Sequence, residues 1–323
     1  KGSHIERENM RNRISHLRDR ATELEILINE ALFSSTRVVA STLVSSNHRI
    51  LNGRRFSTLF IDEAAQALEA ACWIAIRKAD RVIFAGDHCQ LPPTIKCIEA
   101  ARGGLDHTLM EKVVANKPIS VSLLKVQYRM NESIMRFPSE WFYNNQLESA
   151  PEIRQRGILD FDTPMIWIDT SEMECHEEFV GESFGRINKP EANLLLQELE
   201  SYIQKIGENR VLDEQIDFGL ISPYKAQVQY LRNKIKSSSF FRRFRPLITV
   251  NTVDGFQGQE RDVIFISLVR ANESGQIGFL NDLRRMNVAI TRARMKLVIL
   301  GNATTLTKHT FYHKLMEYIQ KQF

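Results

Sequence analysis

Short apolar runs alternate with helix-patterned stretches along most of the chain, and this alternation limits the fold more than any other feature. The runs are "TRVVAST" (36–42), "STLFIDE" (57–63), "RVIFAGD" (81–87), "PMIWIDT" (164–170), "FGLISPY" (218–224), "LITVNTVDG" (247–255), "VIFISLVR" (263–270) and "KLVILGN" (296–302). Between them, helical spacing covers Ala67 to Ala79, Leu105 to Asn116, Asn131 to Tyr143, Glu191 to Ile206, Tyr224 to Lys236 and Asp282 to Arg294, with a closing helix from about Thr304 to Gln322. Strands that are apolar on both faces and separated by helices imply an α/β fold of parallel sheets covered on both sides. In such sheets ligands gather beyond the carboxyl ends of strands, where Asp62, Asp87, Ser222 and Asp254 fall.

A chain of 323 residues exceeds what one core organises efficiently, so two domains are expected. Polar sequence around Ser149 to Gly157 and from Ser171 to Gly185 separates the strand groups and puts the boundary near residue 150. Ahead of the first strand, Ile14, Leu17, Ala21, Leu24, Ile28 and Ala31 recur in steps of three and four from Met10 onward. That is an amphipathic helix with a coiled-coil-like seam, suited to packing on another helix.

Composition excludes more than it selects. The net charge of +4 is too mild for polyanion binding through overall charge, so any such site must be local. No apolar run approaches a membrane span, and the start "KGSHIEREN" is polar rather than signal-like, so no membrane partner is expected. Cys72, Cys89, Cys97 and Cys175 show neither C-x-x-C nor zinc-finger spacing, which favours reduced thiols and an intracellular, cytoplasmic setting, with a nucleus not excluded in a eukaryote. His88–Cys89 and Cys175–His176 are weak metal candidates, because neighbours in regular structure point apart.

The chemistry concentrates in a few segments. "FIDEAAQALE" puts Asp62 and Glu63 at a strand end, where carboxylates can hold magnesium and orient a water against a phosphate. "AGDHCQLPP" adds Asp87 and Gln90, whose amide both donates and accepts. "VQYRMN" sets Arg129 beside Tyr128, and "NVAITRAR" supplies Arg292 and Arg294. Guanidinium forks match phosphate oxygens, and an arginine reaching a transferring phosphoryl group is worth about 4 to 7 kcal/mol of barrier. A cation that only complements a helix end contributes about 0.3 to 1 kcal/mol. In "VNTVDGFQGQERDVIF", Gly255 and Gly258 permit close backbone approach beside Thr252, Asp254, Gln257 and Glu260.

The ordered series "FIDEAAQALE", "GDHCQLPP", "VQYRMN", "LISPYKAQV", "TVDGFQGQE" and "GFLNDLRRMNVAITRAR" closely resembles motifs II, III, IV, IVa, V and VI of superfamily-one helicases of the up-frameshift and senataxin type. The resemblance runs from about residue 37 to 302. It implies a P-loop NTPase with tandem RecA-like sheets, an ATP site between them and single-stranded DNA or RNA as partner, travelled 5′ to 3′. It further implies that Asp62 holds Mg2+, Glu63 activates the attacking water, Gln90 senses the γ-phosphate, and Arg129 and Arg292 reach it. Tyr128, Gly258 and Glu260 would lie at the nucleotide, with Glu260 on the ribose. Strand contacts would come from Ser41 and Thr42 of "ASTLVSS", from Pro223 and Tyr224, the latter by stacking, and from Thr252.

By the same resemblance, residues 1–33 are the end of an accessory stalk, 34–150 the remainder of the first RecA-like domain and 151–323 the second. No glycine in the chain is followed by lysine, so the G-x-x-x-x-G-K-[ST] phosphate cradle is absent from it. The expectation is a helicase portion whose cradle lies in a missing N-terminal part of the same protein, leaving the first domain incomplete and this chain with little or no hydrolysis of its own. The alternative is an ATPase-dead nucleic-acid-binding or scaffold protein. It is less attractive, because Glu63, Gln90 and Arg292 together have no use in a dead site. A nuclease use of the acidic residues is weaker still.

Overall fold

The computed structural model describes residues 2–181 and 185–322. Lys1, Phe323 and residues 182–184, inside the polar stretch expected from 171 to 185, lie outside the described residues. Two compact units emerge, one reaching to Gly86 and including Pro93–Lys112, the other comprising Asp87–Pro92 and the chain from Val113.

The first unit opens with helix α1 (Gly2–Ser35). Its seam residues Met10, Leu17 and Ile28 are all more than half exposed, so no described helix covers them. Local ties hold only its second half, with Arg49 bridging to Glu25 at 3.0 Å and the Arg54 guanidinium lying 4.2 Å over the Phe33 ring. Strands β1 (Phe56–Ile61) and β2 (Ala79–Phe84) pair in parallel through helix α2 (Glu69–Ile76), in register from Phe56 opposite Ala79 to Ile61 opposite Phe84. Ile61, Ala64 and Cys72 form a small core with Leu59, Phe84 and Met110. "TRVVAST" departs from expectation. It forms no strand, and Val38 is exposed, because an apolar run becomes a strand only where a neighbour offers its edge.

The second unit holds a five-stranded, all-parallel sheet. Its strands are β3 (Met165–Asp169), β4 (Phe218–Ser222), β5 (Ile248–Thr252), β6 (Arg261–Ser267) and β7 (Ala293–Gly301), in the order β3-β7-β6-β4-β5. Period-two alternation divides the side chains between faces. Ile264, Ile266, Leu297 and Ile299 enter one core with Met135 and Phe137 of α3 (Glu132–Phe142), Met286 of α7 (Leu283–Ile290) and Phe311 of α8 (Thr310–Gln320). Val263, Phe265, Val298 and Leu300 enter the other with Leu199 and Ile203 of α4 (Lys189–Ile206) and Leu231 of α5 (Lys225–Ser237). Helices on both faces of a parallel sheet are the α/β architecture the strand runs imply.

Contacts divide the chain near residue 112 rather than near 150. Residues of α3 sit in the core beneath β7, and Asn131 N donates to Arg294 O at 2.8 Å, which ties that helix to the second sheet. Helix α7 ends at Ile290, short of Arg294, since Ala293 already pairs with Arg261 in the ladder. The closing helix is split in two. Ala303–Leu306 forms one turn, and the chain restarts at Thr310 with the His309 ring capping Phe311 N.

Candidate active site

In the first unit the β1 ladder continues one step past the strand, Ala85 N donating to Ile61 O at 2.8 Å and Ala64 N to Ala85 O at 2.9 Å. Between these bonds lie Asp62 and Glu63, both exposed. Glu63 adopts a left-handed backbone (φ 50°), costly for a non-glycine residue, and Asp62 Oδ1 accepts the Glu63 amide at 3.0 Å. Gln66 Nε2 donates to Glu63 Oε2 at 2.9 Å. A side chain at Gly86 would approach the amides of Ala64 and Ala65 to 3.0 Å, so the close approach of the two strand ends requires the glycine. Ser41 and Thr42 are exposed, Thr42 Oγ1 donating to Ser45 Oγ at 2.8 Å in a hydroxyl-lined turn.

In the second unit, Asp87 to Gln90 are embedded in a side-chain network. Asp87 Oδ2 accepts from Gln90 Nε2 at 2.8 Å and from the Tyr143 hydroxyl at 2.5 Å. Tyr143 in turn accepts from Asn287 Nδ2 at 2.8 Å, which also donates to Cys89 O at 2.9 Å. Burial, then the Asp87 charge, pushes the Tyr143 phenol far above its usual range, so it remains a donor. The same causes push the Cys89 thiol up to about 11. The ligand atoms of Asp87, His88 and Cys89 come within 4.8 Å of one another, closer than expected of sequence neighbours, because the turn is irregular.

Gln90 Oε1 accepts from Arg292 Nη2 at 3.4 Å. Arg292 is buried, and also donates through Nε to Val288 O and through Nη1 to Gln259 O, both at 3.0 Å. Backbone carbonyls thus hold two of its nitrogens, while Nη2 meets the Gln90 and Thr291 side chains. Arg129 pairs with Glu260 and donates to Thr291 O at 3.1 Å, while Arg294 bonds Glu260 at 2.8 Å and Asp262 at 3.1 Å. Burial pushes the Glu260 carboxyl up, but the two guanidiniums outweigh it and hold it below the usual carboxylate range. Tyr128 is exposed and Gly258 has a left-handed backbone (φ 75°) with open space where a side chain would point.

These groups flank the starts of β6 and β7, whereas Pro223, Tyr224 and Thr252 lie at or just beyond the ends of β4 and β5. Strands of five to seven residues separate the two sets by roughly 15 to 20 Å. Only the second set follows the strand-end expectation. Thr252 Oγ1 accepts from Gly255 N at 3.3 Å, capping the one-turn helix α6 (Val253–Phe256). Tyr224 corrects the sequence reading. It is 4% exposed, its ring against Phe279 and its hydroxyl accepting from Arg270 at 3.5 Å, so this ring is not placed to stack on a base.

Two models described as AAA domain match the chain, over residues 1–97 and 105–304. The chain belongs to the superfamily-one helicase family of the up-frameshift type. Among relatives, an uncharacterized ATP-dependent helicase of Methanocaldococcus jannaschii is 36% identical over 299 residues, 91% of this chain and 43% of that protein. DNA-binding protein SMUBP-2 of Mesocricetus auratus is 34% identical over 97% of this chain and 32% of its own length. The regulator of nonsense transcripts 1 homolog of Drosophila melanogaster is 35% identical over 89% of this chain and 24% of its own. The chain thus spans less than half of each of these relatives. Family membership gives the parallel sheets their RecA-like character. Tyr143 and Asn287 escaped the sequence reading, since an uncharged side chain carries no mark of a site by itself. The one available signal was the position of Asn287 inside "RRMNVAITRAR", two residues after Arg285.

Proposed function

We propose that the protein is an ATP-driven translocase or helicase on single-stranded DNA or RNA, moving 5′ to 3′. Its phosphate cradle would come from sequence outside these 323 residues, a reading supported by the absence of any Gly-Lys pair and by the greater length of the relatives. The observation that carries the proposal is the gathering of Gln90, Arg129, Glu260 and Arg292 around the starts of β6 and β7, apart from the strand-contact candidates at the other end of that sheet.

The residues present fit a magnesium ion. Asp62 Oδ2 and Glu63 Oε1 have no protein partner among the described residues, both side chains are exposed, and hard carboxylate oxygens suit a cation that keeps several waters. When bound, Mg2+ would neutralise phosphate charge. In this reading Asp62 binds the ion, Glu63 orients and deprotonates the attacking water, Gln90 reads the terminal phosphate, and Arg129 and Arg292 counter its developing charge. Tyr128 and Gly258 offer a face and a backbone approach to the nucleotide, with Glu260 toward the ribose. Ser41, Thr42, Pro223 and Thr252 contribute hydroxyls and backbone to the strand.

The test compares the 323-residue chain with the same chain joined to its upstream coding sequence. Little or no hydrolysis by the first and strand-stimulated hydrolysis by the second supports the proposal. Robust turnover by the first alone refutes the placement of the cradle.

A further inference from the structure

A cleft of about 410 Å³ in the first unit, lined by Asn47, Asn52, Gly53, Arg54, Arg55, Ile74, Arg77 and Lys78, plays no part in the site described above. Four of the eight lining residues are cations and none is an acid. Among the described residues only Arg55 of the four has an ion-pair partner, Asp80, which lies outside the lining. Arg54 donates to Ile50 O at 3.3 Å, Lys78 donates to Leu51 O at 3.1 Å, and the exposed Arg77 side chain makes no bond among the described residues. Three positive charges therefore share one concavity without a carboxylate, in a chain whose overall charge is only +4. Part of this is ordinary, since Arg77 and Lys78 follow the C-terminus of α2 and complement its dipole. That role does not account for Arg54 and Arg55, which come from another segment and converge on the same space.

We propose that this cleft is a second contact for the phosphate backbone of a nucleic-acid strand. Guanidinium forks and an ammonium with no acid among them match phosphodiester oxygens. Asn47 and Asn52 add amide donors, and Gly53, left-handed (φ 73°) with nothing within 4 Å of the point where a side chain would begin, leaves the backbone open to approach. The lining includes one apolar residue, Ile74, which offers little to a protein partner anchored by buried hydrophobic groups. Continuity points the same way. Asn47 N donates to Val44 O and Ser46 N to Thr42 O, so the cleft begins one turn beyond the hydroxyl turn of Ser41, Thr42 and Ser45. The inference rests on the reading that the protein engages a strand, and extends the strand's path along the first unit.

The experiment is fluorescence anisotropy of a labelled single strand against the 323-residue chain over a salt series, with Arg77→Gln, the pair Arg54→Gln/Arg77→Gln, and Asn52→Lys. Each phosphate contact removed should flatten the plot of log affinity against log salt by about 0.7 and weaken binding several-fold at low salt, and Asn52→Lys should do the reverse. Arg77→Gln removes an exposed side chain that makes no bond among the described residues, so its fold is not at risk. If wild type binds and all three variants bind with its affinity and slope, the cleft serves the helix end or an acidic protein, and the proposal is overturned. If wild type does not bind, the strand reading itself fails and takes the cleft with it.

Discussion

Tyr143 accepts a hydrogen bond from Asn287 at 2.8 Å and donates one from its hydroxyl to Asp87 at 2.5 Å. Residues from "GDHCQLPP", from the end of α3 and from α7 thereby form one chain of polar groups. Asn287 is buried, and Asp87 and Tyr143 are half-buried, so removing one member leaves its neighbours short of a partner. Tyr143→Phe should cost about 1 to 3 kcal/mol in urea unfolding, because it takes a donor from the Asp87 side chain. A loss below about 0.5 kcal/mol would mean that water replaces the hydroxyl. The Tyr143 proton stays in place well beyond neutral pH, so this loss should be constant from pH 6 to 9.

The buried Glu191 and the half-buried Glu260 should give stability opposite slopes with pH. Glu191 is fully buried, its Oε1 accepting from Ser267 at 2.5 Å and Val269 N at 2.8 Å, and burial pushes its pKa up to about 7. A carboxyl with a raised folded-state pKa contributes stability that is complete below its unfolded value near 4.5 and is lost as pH rises through about 7. Glu260 is lowered by Arg129 and Arg294 despite burial, so its contribution is present above its unfolded value and lost as pH falls through its folded one. Unfolding of Glu191→Gln from pH 5 to 8 should lack the decline attributed to Glu191, while wild type shows it. Parallel curves would remove Glu191 as the source.

The burial of Tyr224 separates two uses of the "ISPYKAQ" turn. Stacking on a base is worth about 1 to 3 kcal/mol by truncation, or roughly a 5- to 150-fold change in affinity. With the ring packed on Phe279 and the hydroxyl bonded to Arg270, Tyr224→Leu should bind a single strand within about twofold of wild type while losing stability through the vacated volume. A tenfold loss of binding by a folded Tyr224→Leu protein would return the ring to the strand.

The strands of the second sheet were legible because continuous apolar runs such as "VIFIS" have no other way to be buried on both faces. The end of α7 was not, since "ITRAR" contains no glycine or proline, and only the pairing of Ala293 with Arg261 decides where helix yields to strand. "TRVVAST" has strand composition and no described partner edge, so composition alone misplaced it. At the candidate site, Asp62, Glu63, Gln90, Arg129 and Arg292 were proposed from motif order, and the structure adds the partners of each. The burial of Arg292, the two-arginine clasp on Glu260 and the Tyr143 relay depend on residues brought together across more than a hundred positions, and local pattern carries no trace of them.

Glu63 holds a left-handed backbone at φ 50° in the short link between β1 and the turn Ala64–Gln66, where glycine would be free of strain. For a non-glycine residue that conformation costs about 1 to 2 kcal/mol, and the exposed bond from Gln66 returns only part of it. Glu63→Gly should therefore leave thermal stability unchanged or raise it by up to about 1 kcal/mol. Glu63→Gln keeps the strain and the geometry but removes the carboxylate that the proposed mechanism uses as a base. If the proposed upstream cradle is supplied, both variants should bind nucleotide nearly as wild type does and turn it over at least a hundredfold more slowly, in line with loss of a general base. Normal turnover by Glu63→Gln would take Glu63 out of the chemistry. A destabilised Glu63→Gly would show that the left-handed turn is held by the side chain rather than tolerated for it.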